Sequence, residues 1–181
     1  AWKYLILNSI GLLIGLLGTL VFVALQEDRS GATSWANLIA AASTGLIPAD
    51  VAKLAFALVF IGYGAKVGLA PLHAWLPDAH SKAPSPISAL LSGVLLNVAL
   101  FAVLRWKQVT DLALGSDQFT GGLLIFFGVF SVFLAAFIIF VQKNYKRLLA
   151  YSSIEHMGLI AIAFGLGGVG TIAGLLHMLY H

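Results

Sequence analysis

The sequence predicts an all-α, polytopic membrane protein, a bundle of transmembrane helices with one helix broken at a proline. Three observations carry this. Of the 181 residues, 60% are hydrophobic and 9% charged, with mean hydropathy +0.99, whereas an ordinary soluble domain has about 25% charged and 45–50% apolar residues. The charges are bunched, and the stretches between them are long enough to cross a bilayer. One such stretch carries a lysine beside a glycine and proline cluster. The shortage of charge excludes a water-soluble globular domain, a disordered segment and a nucleic-acid binder. The net charge of +3 says little, because topology depends on where basic residues sit along the loops. With no Cys, the chain offers no disulfide, thiolate zinc site or iron–sulfur ligand set. It starts at Ala1, not Met, and His181 falls inside an apolar run, so an internal piece of a longer polypeptide is expected.

The first span is predicted near 4–25, where 22 residues from Tyr4 to Leu25 lie between Lys3 and Glu27-Asp28-Arg29. A membrane helix needs about 20 apolar residues, and Trp2 and Tyr4 are expected as interface anchors. Residues 35–47 are too few to cross and are expected as a short interfacial helix. Further spans are expected near 51–75, 87–104, 119–141, 148–166 and 170–181, six in all. No signal peptide is read, since the first apolar run is too long and lacks a cleavage site. Alternating passes put Lys3, Asp78, Lys82, Lys143, Lys146 and Arg147 on one side. Glu27, Asp28, Arg29, Asp50, Arg105, Lys107, Asp111 and Asp117 fall on the other, with Lys53 near its edge. The positive-inside bias then makes the 142–147 loop cytoplasmic.

Ionisable residues at membrane depth are functional candidates, since each costs about 2.5–3.5 kcal/mol even on insertion scales. Lys66 leads. It lies some 22 Å along its span at 1.5 Å per residue, with Gly62, Gly64 and Gly68 expected to let neighbouring backbones approach. Pro71 lacks an N–H and clashes with the carbonyl of Val67, so the helix should break just after the lysine. Broken backbone at this depth needs protein or a wet cavity around it, and an ammonium there suits a proton carrier; a structural ion pair is the plainer alternative. His73 is expected to continue a polar path towards the cytoplasm, while Pro77, Asp78, Pro84 and Pro86 fix the turn that follows. His73, Asp78 and His80 have ligand chemistry, but the turn at Pro77 argues against a shared face, and no metal site is expected.

In the fifth span, His156 suits a proton relay because imidazole titrates near physiological pH. Its neighbour Glu155 reads equally as a packing residue, with Ser152 and Ser153 as interhelical donors. His177 and His181 are four apart and share a helix face; without the accompanying Glu of a zinc protease helix, they read as steps in a proton or ion wire. Asn97 reads as an interhelical hydrogen bond or a water holder between Lys66 and the histidines. Lys143, Lys146 and Arg147 read chiefly as a basic loop attracting anionic headgroups, with a place at the mouth of a pathway as the alternative.

Two stretches carry a resemblance. Gly64-Ala-Lys-Val-Gly-Leu-Ala-Pro-Leu-His-Ala-Trp-Leu-Pro-Asp-Ala-His80, followed by Ala83-Pro-Ser-Pro86 and Ser88-Ala-Leu-Leu-Ser-Gly93, is the first. Gln142-Lys-Asn-Tyr-Lys-Arg-Leu-Leu-Ala-Tyr-Ser-Ser-Ile-Glu-His-Met-Gly158 is the second. Both resemble the proton-translocating antiporter-like family: the large membrane-arm subunits of respiratory complex I, their relatives in membrane-bound hydrogenases, and multi-subunit sodium/proton antiporters. The wording is most similar to the hydrogenase-4 component F branch. The resemblance implies a subunit of roughly fourteen spans, of which this chain is the sixth to the start of the twelfth, an inference by likeness. It aligns the family's seventh-span lysine with Lys66, its tenth-span histidine with His156, and its eleventh-span histidines with His177 or His181. Many complex I relatives carry a lysine on the eighth span where this chain has Asn97. The family's fifth-span glutamate and twelfth-span lysine or glutamate lie outside the sequence, and Glu155 matches neither.

The implied function is a proton-translocating membrane subunit of a redox-driven oxidoreductase complex, in the cytoplasmic membrane of a bacterium or archaeon. The chain itself is expected to hold no cofactor. Implied partners are the lipid bilayer, other membrane-arm subunits and hydrophilic iron–sulfur subunits, with protons as the coupling ion. The rival is a sodium/proton antiporter subunit, coupled to Na+ and lacking redox partners; a membrane scaffold with a structural lysine pair is the plainest reading.

Overall fold

The computed structural model describes residues 2–25 and 33–181. Among them there are helices and turns but no strands. Glu27, Asp28 and Arg29, expected to close the first span, lie outside the described residues. Helix α1 covers Trp2–Ala24, α2 Trp35–Ser43 and α3 Ala49–Val67. A 3₁₀ turn at Leu72–Trp75 leads into α4, Leu76–Lys82. Then α5, Ser85–Leu90, runs through a π turn at Leu91–Leu95 into α6, Leu96–Leu114. The last three are α7, Gln118–Ile139, α8, Tyr145–Leu166, and α9, Val169–Tyr180. Five stretches are long and apolar enough to cross a membrane, Trp2–Ala24, Ala49–Lys82, Ser85–Leu114, Gln118–Ile139 and Tyr145–Leu166; Val169–Tyr180 is apolar but shorter.

Two boundaries differ from expectation for physical reasons. The second span does not run as one helix to Trp75: α3 stops at Val67, and Gly68 takes a left-handed conformation (φ 79°) that L side chains avoid. The third span does not end at Leu104, because α6 continues to Leu114. Its polar residues stay helical by finding partners. Arg105 stacks on Trp35 at 4.1 Å, Lys107 pairs with Asp111 at 2.5 Å one turn on, and Thr120 of α7 donates to Asp111.

With hydrocarbon as solvent, apolar burial drives little association and helices gain from close approach. Helices α1 and α3 meet through Gly11, Gly15, Gly18 and Gly62; a Cβ on Gly62 would lie 2.2 Å from the Gly15 nitrogen. Gly128 and Gly158 bring α7 and α8 together in the same way. Gly64 does not have the role expected of it: the space beside it is open, and its contribution is its carbonyl, which accepts from the N–H groups of Gly68 and Leu69. The core centres on α3, where Ala52, Ala55, Phe56 and Val59 are fully buried, with Leu96 and Leu100 of α6 beside them. Leucines of α1 and phenylalanines of α7 face outward, Leu13 at 67% and Phe126 at 66% exposure, as a lipid-facing surface requires.

Candidate functional site

Lys66 sits in the last turn of α3, about 26 Å from its start at 1.5 Å per residue. It is half-buried, and among the described residues it has no ion pair. Its ammonium lies 5.1 Å from the ring centre of Tyr4. Tyr4 is therefore not the interface anchor expected of it: its ring turns inward, packing edge-on against Trp75 at 5.2 Å.

The helix break beside Lys66 exposes backbone groups that a dry interior would penalise, and the fold supplies partners. The Ala65 carbonyl accepts from the Trp75 indole N–H at 2.7 Å. The Ala70 N–H donates to the Ser131 hydroxyl of α7 at 2.9 Å, and that hydroxyl donates to the Phe127 carbonyl at 2.6 Å. Ala70 and Ser131 are both fully buried. The break is thus built into the fold, tied at both flanks.

Beyond it, the polar residues diverge. His73 is half-buried with its ring 6.3 Å from that of Tyr151, and its Nδ1 is buried without a hydrogen-bond partner. Asp78 links three helices at one end of the bundle, accepting from Lys3 at the start of α1, at 3.4 Å, and from Arg147 at the start of α8. That contact puts Lys3, Asp78 and Arg147 at the same end. Helix α8 begins where it does because the Asn144 side chain accepts from the N–H groups of Lys146 and Arg147. Lys146 donates to the Ala83 carbonyl at 3.0 Å, and Lys143 is exposed. Pro77 opens α4, where its missing N–H costs nothing.

The three span histidines converge. His156 is the twelfth residue of α8, roughly 17 Å from its start. Its Nδ1 lies 3.0 Å from Nε2 of His177, and its ring centre lies 5.2 Å from that of His177 and 5.1 Å from that of His181. The four-residue spacing on α9 brings both rings to one imidazole of α8. Asn97 donates to the Met178 carbonyl on that same α9 turn, at 3.2 Å, and to the Gly93 carbonyl at 2.8 Å, leaving its buried Oδ1 without a partner. Glu155, beside His156, makes no hydrogen bond or ion pair among the described residues.

A cavity of about 630 Å³ leads to this cluster. Lys146 and His80 line it, Ser88, Ser92 and Ser153 follow, and His156 and His181 complete the wall. Lys66, His73 and Asn97 are not among the lining residues. Sequence reasoning read Ser152 and Ser153 only as interhelical donors, passed over Ser85, Ser88 and Ser92, and weighed His80 only as a ligand. Ser85, Ser88 and Ser92 recur at one helix face, and that spacing was the available signal. Ser92 of the π turn and Ser153 of α8 are hydrogen-bonded at 2.9 Å, and His80 Nδ1 lies 2.6 Å from the Ser88 hydroxyl.

Comparison with known proteins agrees with this architecture. The chain is 46% identical to a hydrogenase-4 component F homolog of Methylacidiphilum infernorum (isolate V4), over all of this chain and 38% of that protein. It is 38% identical to hydrogenase-4 component B of Escherichia coli (strain K12), over 72% of this chain and 21% of that one. It is 40% identical to NAD(P)H-quinone oxidoreductase chain 4 of Synechococcus sp. (strain CC9605), over 71% of this chain and 24% of that one. Among solved structures it superposes on a chain of the membrane-bound sulfane sulfur reductase, an archaeal respiratory membrane complex. The TM-score is 0.83 at 32% identity, covering 98% of this chain and 35% of that one. The chain thus spans less than two fifths of each of these proteins. A family profile described as NADH:quinone oxidoreductase/Mrp antiporter, transmembrane, matches residues 1–181. With the broken helix at Lys66 and the helical bundle around it, the chain belongs to that antiporter-like transmembrane family.

Proposed function

We propose that this chain is part of a proton-translocating membrane subunit of a redox-driven complex of the hydrogenase-4 or complex I type. Protons move through it by way of Lys66, His73, Asn97, His156, His177, His181 and intervening water. The observation that carries the reading is the cluster of three imidazoles halfway along α8, at the wall of a cavity lined by hydroxyl and imidazole groups. Such a lining suits water, which needs two to four polar partners. Imidazole accepts at one nitrogen while donating at the other, so two rings in hydrogen-bond contact can hand a proton on.

Lys66 supplies the second element. A lysine locked to a buried carboxylate is held by a pair whose disruption costs about 3–5 kcal/mol. An aromatic face holds an ammonium by about 0.5–2 kcal/mol. The contact to Tyr4 is of the weaker kind, so the ammonium can respond to a charge moving nearby. In this reading the chain carries no redox cofactor, and electron transfer in partner subunits alters the charge beside Lys66.

The test uses the full-length subunit in its assembled complex, in sealed vesicles. Lys66→Ala and His156→Ala are each expected to lower proton translocation at least ten-fold while assembly persists. Translocation at the wild-type rate in both variants refutes the reading. Co-purification with an iron–sulfur or nickel–iron subunit is expected. Purification without any redox subunit, with Na+-dependent proton exchange, would assign the antiporter function instead.

A further inference from the structure

His80 is a buried titratable side chain that the path above leaves unused. It lies on α4, is 4% exposed, and presents Nδ1 to the Ser88 hydroxyl at 2.6 Å. Its Nε2 is buried without a partner. An interior imidazole with one nitrogen bonded and the other unpaired is a costly way to fill space, since an unmade buried hydrogen bond is penalised. The ring lines the same cavity as His156. Between them the hydroxyls form rungs. Ser88 and Ser92 are four apart across the junction of α5 with the π turn, Ser92 is bonded to Ser153 at 2.9 Å, and Ser153 stands one turn before His156. The π turn carries Ser92, and such turns recur at functional sites.

We propose that His80 is a proton-carrying residue, linking the Lys146 end of the cavity to the imidazole cluster through Ser88, Ser92 and Ser153. The inference rests on the proton-translocating reading and adds a carrier to it. The step is balanced: Nε2 takes the excess proton of a hydronium, leaving water, while Nδ1–H passes its own to the Ser88 oxygen, whose hydrogen moves on to the next water. One proton advances, and the ring is left neutral in its other tautomer, to be reset by the reverse shift. A cavity of about 630 Å³ has room for on the order of ten waters to span the gaps between rungs. A ring serving only as a tie between α4 and α5 would need the Ser88 bond alone.

Two variants of the full-length subunit, in the assembled complex in vesicles, decide it. His80→Ala is expected to translocate protons at least ten-fold more slowly than wild type, and added imidazole, small enough for the cavity, is expected to restore the rate. His80→Gln keeps a polar group for Ser88 but cannot carry a proton between two nitrogens; it is expected to be as slow as His80→Ala. Should His80→Ala fail to assemble, His80→Gln decides alone. Wild-type translocation in His80→Gln overturns the inference, as does a slow His80→Ala that imidazole leaves unchanged. If Lys66→Ala and His156→Ala are defective while His80→Gln is not, only the role of His80 falls. If all are wild-type, the translocation reading falls with it.

Discussion

Ser131→Ala removes the hydroxyl that ties the broken segment after Lys66 to α7. In the native protein that hydroxyl accepts from the Ala70 N–H at 2.9 Å, with both residues fully buried. Alanine leaves the amide with no partner in a site closed to solvent, and an unsatisfied buried donor costs about 1–3 kcal/mol. The Phe127 carbonyl loses its extra donor but keeps its place in the helix ladder, so little is added there. At 1.4 kcal/mol per factor of ten, the local opening that exposes Ala70 should become about 5- to 150-fold more populated. Hydrogen exchange read by mass spectrometry, on the full-length subunit in nanodiscs, measures this on a peptide spanning residues 66–76. Exchange at Ala70 should accelerate by that factor, while the α7 amides around Gly128, held by glycine packing on α8, stay as they were. An Ala70 amide exchanging at the wild-type rate in Ser131→Ala would show that the hydroxyl does not hold the break, and the account of how the fold satisfies it would be wrong.

The glycine contacts give a paired prediction. Gly62→Ala places its Cβ against backbone atoms of Gly11 and Gly15 and should destabilise by about 1–3 kcal/mol; Gly64→Ala meets nothing within 4 Å and should be neutral or stabilise by up to about 1 kcal/mol. Thermal unfolding in detergent ranks the two, and the reverse order would refute the packing of α1 on α3. Asp78→Asn weakens the contacts to Lys3 and Arg147, whose side chains are 71% and 45% exposed, so at most about 1 kcal/mol should be lost. The difference from wild type should shrink as salt is raised, and a salt-independent loss would mean that packing, not charge, is at stake.

What was legible in the sequence followed from one-dimensional spacing. Charge bunching marked the helices. Pro71 with Gly68 marked the break beside Lys66, and the interval between His177 and His181 put both rings on one face of α9. Tertiary partnership was not legible. Arg105, Lys107 and Asp111 read as a loop because nothing local announces that Trp35 and Thr120 will receive them, so α6 runs on past its expected end. Tyr4 had the position of an interface anchor, yet Lys66 and Trp75 draw it inward. Gly64 had the composition of a close-approach residue without a neighbour to approach. The meeting of His156 with α9, and the pairing of Ser92 with Ser153, depend on how α5, α8 and α9 pack, which residue order alone does not fix.

Lys66 does not line the cavity at the imidazole cluster, and a path joining the two can pass α6. This helix packs against α3, the helix of Lys66, and its Asn97 reaches the Met178 carbonyl of α9, one residue from His177. Leu96 and Leu100 flank Asn97 on the same helix and are fully buried, so a proton crossing this turn has Asn97 as its polar group, with a free Oδ1 to hold water. Asn97→Leu removes that group and one interhelical hydrogen bond, worth about 0.6–1.7 kcal/mol in a bilayer, a loss that should leave the complex assembled. Translocation should nonetheless fall as far as it does in Lys66→Ala, because the two halves of the path would be separated by hydrocarbon. Assembled Asn97→Leu translocating at the wild-type rate would reduce Asn97 to a helix tie and remove Lys66 from the route that runs through His156.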